Sequence, residues 1–277
     1  MNRRVASPPV IGLFDSGVGG LSVLRTLREM LPAARYHYVA DSAHCPYGPR
    51  GDDQIAAYSR AITQFLLGWG CELVVVACNS ASAAALVRLR EWFPDVPFVG
   101  MVPAVKPAAR LTQSGVVGVM ATPTTYHGAL YHDVVDRFGR DVRIVSVVCE
   151  GLVERIEAGD IDGPATSSLL RACLAPMIEA GADTLVLGCT HYPLATKAIR
   201  GVVGEDVRIL EPSEAIARQT IRLLAERAEA GGAEQDGCLT LFTSGPEADL
   251  WSVSRRILGC TASVVALTWR DDALELT

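Results

Sequence analysis

Two cysteines hold equivalent places in the two halves of this 277-residue chain. Cys78 closes the apolar run Glu72-Leu-Val-Val-Val-Ala and precedes Asn79-Ser80-Ala-Ser82. Cys189 closes Asp183-Thr-Leu-Val-Leu-Gly and precedes Thr190-His191-Tyr192-Pro193. Each run reads as a buried parallel strand, and each set of small polar residues suits the opening of a helix. A lone cysteine at a strand end is more often inert core than reactive group. A second, matched cysteine with a histidine two residues on reverses that expectation. Two thiols presented alike from related half-structures can face one another across a substrate. Chemistry on both faces of one carbon needs that arrangement.

Other residues at strand ends extend the pattern. Asp15-Ser16-Gly17-Val18-Gly19-Gly20 follows the first apolar run. A dinucleotide fingerprint starting at Gly17 would need glycine at Ser22, and Asp15 would repel a pyrophosphate. Two readings stay open: a turn that aims Asp15 and Ser16 into a site with backbone N–H groups for a carboxylate, or a plain tight turn with Asp15 as its cap. Asp41-Ser-Ala-His44-Cys45-Pro46-Tyr47-Gly48-Pro49-Arg50 reads as an irregular loop that brings backbone and the Tyr47 hydroxyl toward a ligand, or as a loop with no contact role. A helix N-terminus after Cys78 favours its thiolate. His191 is read as a base for Cys189 or as a local cap. His37, His44, His127 and His132 have no metal-ligand spacing with any cysteine, and adjacent His44 and Cys45 point apart on extended chain, so no metal is expected.

These residues must be positioned by a repeated α/β framework. Apolar runs at Val10–Phe14, Tyr36–Ala40, Leu73–Ala77, Phe98–Gly100, Val116–Met120, Val142–Val147, Thr184–Gly188, Val207–Leu210, Leu239–Phe242 and Ser263–Leu267 alternate with helical patterns such as Leu21–Met30, Asp52–Leu67, Ala81–Trp92, Thr166–Ala180 and Ser213–Ala228. That alternation predicts parallel sheets covered on both faces. Val10-Ile-Gly12-Leu-Phe resembles Val116-Val-Gly118-Val-Met, with Gly12 and Gly118 106 residues apart and Cys78 and Cys189 111 apart. Near-equal offsets point to a duplicated unit. The expected fold is two pseudo-symmetric doubly wound α/β domains, residues 1–100 plus 211–277 and residues 101–210. The site is expected in the cleft between them, off the carboxyl ends of the strands. Residues 231–237, Gly-Gly-Ala-Glu-Gln-Asp-Gly, read as a surface turn.

Composition narrows the chemistry. The net charge of −6 disfavours nucleic-acid binding and a polybasic membrane patch. Lys106 and Lys197 are the only lysines, and neither sits in a strand-end motif suited to a Schiff base. The first residues lack a signal-peptide core, and no stretch is long and apolar enough to span a bilayer. Eight scattered cysteines without a Cys-x-x-Cys read as free thiols in a reducing cytoplasm.

Asp15-Ser-Gly-Val-Gly-Gly-Leu-Ser, Pro46-Tyr47-Gly48, Ala77-Cys78-Asn79-Ser80-Ala-Ser82 and Gly188-Cys189-Thr190-His191-Tyr192-Pro193 together resemble the glutamate racemases, and the likeness runs along nearly the whole chain. The resemblance implies a cofactor-independent, two-base interconversion of L- and D-glutamate that supplies D-glutamate for peptidoglycan. Cys78 would exchange the proton with D-glutamate and Cys189 with L-glutamate. Asp15 would assist Cys78; His191 and Glu157 would assist Cys189, with Glu154 the competing carboxylate. Ser16, Tyr47, Gly48, Asn79, Ser80, Thr122, Thr125, Thr190 and His191 would hold substrate. Ser80 replaces a usual threonine, and Pro123-Thr124 unsettles the register of Thr125. A racemase of another amino acid, such as aspartate, shares these features. A thiol hydrolase would need only one cysteine, and a non-catalytic binder would exchange no α-hydrogen. The expected partner is small-molecule glutamate, and the expected assembly is a homodimer in the cytoplasm.

Overall fold

A computed structural model describes residues 8–227 and 237–277. The surface turn expected at 231–237 therefore lies almost wholly outside the described residues. In chain order the elements are β1 (Val10–Asp15), α1 (Leu21–Met30), β2 (Arg35–Ala40), α2 (Asp52–Gly68), β3 (Leu73–Val76), α3 (Asn79–Trp92), β4 (Phe98–Gly100) and α4 (Val105–Leu111). They continue with β5 (Val116–Ala121), α5 (Pro123–His127), α6 (Ala129–Phe138), β6 (Arg143–Val147), α7 (Leu152–Glu157), α8 (Pro164–Glu179), β7 (Thr184–Gly188), α9 (Thr196–Val203) and β8 (Arg208–Leu210). The last are α10 (Ser213–Ala225), β9 (Leu239–Thr243), α11 (Glu247–Leu258), β10 (Ser263–Arg270) and β11 (Ala273–Leu276).

The strands form two sheets. One has the order β11-β10-β9-β2-β1-β3-β4, the other β6-β5-β7-β8. The order β2-β1-β3-β4 recurs as β6-β5-β7-β8, so the internal likeness in sequence is a likeness in topology. All pairings are parallel except β10 with β11. Alternation along the strands explains why both faces are covered. In the first sheet Ile11, Leu13, Leu73 and Val75 enter one core, while Phe14, Val74 and Val76 enter the other. In the second, Met120, Leu185 and Leu187 face one core, and Val117, Val119 and Val186 the other. A strand whose two faces are both buried must be apolar throughout, which is why β1, β3, β5 and β7 read as unbroken apolar runs. The matched glycines sit where a helix crosses a central strand: a Cβ on Gly12 would come within 3.0 Å of Cys71 Sγ, and one on Gly118 within 2.7 Å of Met177 Sδ.

Two expectations are corrected. The sheet ends in an antiparallel hairpin that the sequence pattern does not show. Asp271 and Asp272 form its two-residue loop with φ of 42° and 64°, the left-handed region at both positions that such hairpins demand. No glycine or asparagine advertises that turn, and β11 is a short, largely exposed edge. The cysteines are also not all free. Cys149, after β6, and Cys173, on α8, are joined in a disulfide across a Cα–Cα distance of 5.4 Å. The packing of α8 against β6 brings them together, and no spacing rule reveals that contact. Cys45, Cys71, Cys78, Cys189, Cys238 and Cys260 are free.

Candidate active site

The carboxyl ends of β1 and β3 in the first sheet meet those of β5 and β7 in the second. Cys78 caps the N-terminus of α3 in extended conformation, with Asn79 and Ser80 opening the helix. It is buried, with Sγ 4.0 Å from Ser16 Oγ. Burial and the neighbouring Asp15 carboxylate push its thiol well above the ordinary range, against one backbone N–H at Ala81. The helix N-terminus thus acts on Cys78 in the expected sense, through Ala81 N–H, but against burial. Desolvation of a single charge is the larger effect here.

Asp15, at the end of β1, is fully buried. Its Oδ2 accepts Gly20 N at 2.7 Å, so it does brace the glycine turn, and it also accepts Thr190 Oγ1 at 3.3 Å from the other sheet. Its Oδ1 has no hydrogen-bond partner among the described residues. Burial raises its pKa against the opposing pull of His191, Cys78 and Gly20. A cap and a site carboxylate are thus one residue.

Around Cys189 the arrangement differs. Its Sγ lies 3.8 Å from His191 Nδ1, and His191 Nε2 meets Glu157 Oε1 at 2.5 Å. Glu157 also accepts Val18 N at 2.8 Å and the Cys45 thiol at 3.6 Å. Burial disfavours a charged imidazole, but Cys189, Cys45 and Glu157 together hold the His191 pKa well above its usual value. Burial likewise works against Glu157, yet His191, Val18 and Cys45 keep its carboxyl below the ordinary range. Glu154 makes no such contact and lines the neighbouring cavities instead.

Hydroxyls gather where the two sheets meet. Ser80 Oγ and Thr122 Oγ1 are 3.0 Å apart across the sheets, and Thr122 Oγ1 lies 2.9 Å from Thr125 Oγ1. Thr122 caps α5 by accepting Thr125 N, with Pro123 at the first helical position, and this settles Thr125 against Thr122. Both polar atoms of the Asn79 side chain are buried without a partner among the described residues. Gly48 packs on Thr122, and its carbonyl accepts Thr124 Oγ1 at 2.6 Å. Tyr47 points elsewhere than the sequence suggests: its hydroxyl donates to Asp41 at 2.6 Å and fixes the loop from inside.

Several contributors carry little signal in sequence. Buried Asp41 accepts from Tyr47, from Ser244 Oγ at 2.7 Å and from Trp269 Nε1 at 2.7 Å, and it lies 2.9 Å from His44 Nδ1. Ser244 and Trp269 arrive from over 200 residues away, so only the fold reveals them. Gly17 and Gly19 do carry a signal, misattributed to turn chemistry. A Cβ on Gly17 would overlap the Glu157 carboxylate, and one on Gly19 would lie 2.5 Å from His191 Nδ1 and 2.7 Å from its backbone N. Those glycines let the first sheet's loop lie directly on the second sheet's residues. Cys45, set aside beside His44, turns toward Glu157 and Ser16, with Sγ 4.0 Å from Ser16 Oγ.

The chain is similar to known proteins along nearly its whole length. The family model for Asp/Glu/hydantoin racemases matches residues 3–220. A glutamate racemase of Roseiflexus sp. is 49% identical over 262 residues, 94% of this chain and 96% of its own length. One from Pseudomonas aeruginosa is 49% identical over 218 residues, covering 79% of this chain and 82% of itself. The crystal structure of a glutamate racemase isoform from Bacillus anthracis matches with a TM-score of 0.84 at 30% identity, over 97% of this chain and all of that one. Escherichia coli glutamate racemase, solved with L-glutamate and the activator UDP-MurNAc-Ala, matches with a TM-score of 0.82 at 35% identity, over 94% of this chain and 97% of its own. With the same two-sheet fold and near half of its residues shared over almost its full length, the chain belongs to the Asp/Glu/hydantoin racemase family, on its glutamate racemase branch.

Proposed function

We propose that the protein interconverts L- and D-glutamate without a cofactor, Cys78 exchanging the α-proton on the D face and Cys189 on the L face. One observation carries this: two buried thiols stand at equivalent strand ends of two equivalent sheets, each beside a different proton-holding group. The α-hydrogen of an amino acid is feebly acidic, so the developing charge on the carboxylate side must be met by donors already in place. Asn79 Nδ2, buried and without a partner among the described residues, and the hydroxyls of Ser16, Ser80, Thr122, Thr125 and Thr190 supply them. Asp15 Oδ1 is the matching acceptor for the ammonium or for the Cys78 proton. A buried polar atom without a partner is costly, and a bound amino acid relieves that cost at Asp15 and Asn79 together.

On the Cys78 side Asp15 stores the proton; on the Cys189 side the His191–Glu157 pair does so. Each thiol starts a turnover in the opposite protonation state from its partner, and the two states exchange. Tyr47 and Gly48 hold the loop that closes over Thr122. The product supplies D-glutamate to peptidoglycan in the cytoplasm, the working unit is a homodimer, and the two α/β domains divide as residues 1–100 plus 211–277 and residues 101–210. Glutamate is favoured over aspartate by the 49% identical relatives named for it.

The test is incubation with L-glutamate, and separately L-aspartate, in deuterium oxide with no added cofactor, following optical rotation and α-exchange. Glutamate should racemise and gain deuterium at the α-carbon. Full racemisation by Cys78→Ala or Cys189→Ala sinks the two-base mechanism. Restored growth of a bacterium that requires D-glutamate tests the cell-wall role.

A further inference from the structure

We propose that Cys45, Glu157 and His191 form a Zn2+ site that holds the protein inactive while occupied. Their ligand atoms all lie within 4.8 Å of one another. A thiolate, an imidazole and a carboxylate are a donor set suited to zinc rather than to magnesium or calcium, and three protein ligands leave the fourth tetrahedral position open. Bond lengths near 2.3 Å to sulfur and 2.0–2.1 Å to nitrogen and oxygen imply separations of about 3.5 Å for S···O and about 3.3 Å for N···O. Cys45 Sγ already lies 3.6 Å from Glu157 Oε1. His191 Nε2 lies 2.5 Å from that oxygen, so the ion takes the place of the shared proton and this pair opens by roughly 0.8 Å.

The surroundings are those of a supported site. Val18 N holds the Glu157 carboxylate, and the other ring nitrogen of His191 faces Cys189. A cavity of about 300 Å3 lined by Cys45, Glu157, Val18 and Asp249 gives the ion a way in. Cys45 lies outside the pair of thiols assigned to proton transfer, and besides packing on the second sheet's core it turns its sulfur to Glu157. Metal binding itself is independent of the racemase reading. Only the inactivation rests on it, because an imidazole nitrogen given to zinc is withdrawn from the Glu157–His191 pair that serves Cys189.

The test uses Co2+ as the probe, added to the full chain. A thiolate-to-cobalt absorption band should saturate at one ion per chain and be displaced by Zn2+. Cys45→Ser should abolish the band, and Cys238→Ser and Cys260→Ser should keep it. No band, or a band that survives Cys45→Ser, overturns the site. If Cys45→Ser fails to fold, alkylation of the wild-type protein decides: Zn2+ should slow labelling of Cys45 against the metal-free protein and leave exposed Cys238 unchanged, and a Cys45 rate that Zn2+ does not alter overturns the proposal. Racemisation stopped by Zn2+ and restored by a chelator completes it. A protein that binds cobalt at Cys45 yet never racemises glutamate keeps the site and loses the proposed function; one that racemises without binding does the reverse.

Discussion

Cys78 and Cys189 follow the third strands of two sheets with the same strand order, yet their neighbours differ. Cys78 stands with a buried carboxyl, Asp15, whose pKa is raised, and with a neutral hydroxyl, Ser16. Cys189 stands with an imidazole whose pKa Cys189 itself, Cys45 and Glu157 hold well above its usual value against burial. The sheet framework repeats; the residues around the sulfurs do not. The two thiols are thus delivered the same way into different surroundings, a buried carboxyl beside one and an imidazole–carboxylate pair beside the other.

The largest effect should follow loss of either thiol. Cys78→Ala and Cys189→Ala should each lower racemisation by about 10^4-fold, measured by polarimetry, because a missing base leaves one face without proton transfer. Equal residual rates above that level would mean the halves are not both required.

Next come the partners. Asp15→Asn and His191→Asn should each cost about 10^2-fold in kcat/KM. The equilibrium constant between enantiomers is one, so kcat/KM must fall equally in both directions whichever half is damaged. The asymmetry must appear in isotope effects. Asp15→Asn should raise the α-deuterium effect on kcat/KM for D-glutamate, and His191→Asn for L-glutamate. The reverse pattern would exchange the faces assigned to the two thiols.

The Glu157–His191 pair sharpens the comparison through stability. Glu157→Gln should cost about 2 kcal/mol in urea unfolding near pH 5.5, and exposed Glu154→Gln less than about 0.5 kcal/mol. Glu157 is held below its ordinary 4.5, so its contribution is present above that pH and is lost as acid reaches the lowered folded value. His191 is held above 6.5, so its contribution is full below that pH and fades as alkali reaches the raised folded value. The wild-type advantage should therefore peak between those pH values and shrink on both sides. An advantage that does not vary with pH would show that packing, not charge, is measured.

The smallest effect should come from Trp269→Phe, which removes the indole donor to Asp41. We expect about 1 kcal/mol of stability and a raised KM with kcat little changed. A change confined to kcat would remove the loop-bracing role.

Much of this was legible in the residues. The helix Leu21–Met30 has the bounds its periodicity predicts, because its apolar face and flanking turn agree. Asp15, Cys78 and Cys189 were legible because they end apolar runs. Glu157 and Glu154 were not separable, since both sit in one short helix and only packing decides which meets His191. Trp269, Ser244 and the Cys149–Cys173 pair were beyond reach for a related reason. Their partners are set by how strands from distant segments lie side by side. At Cys78 the sequence shows the helix end but not the burial that opposes it.

The order of the first sheet has a consequence for biosynthesis. β2 pairs with β1 and with β9, and about two hundred residues separate β2 from β9. The second sheet is continuous in the chain, so it can close while the ribosome is still working. The first must wait with a buried-type edge, Tyr36 to Ala40, uncovered. A nascent chain stalled before β9 would display that edge to solvent, an open template for wrong strand pairing.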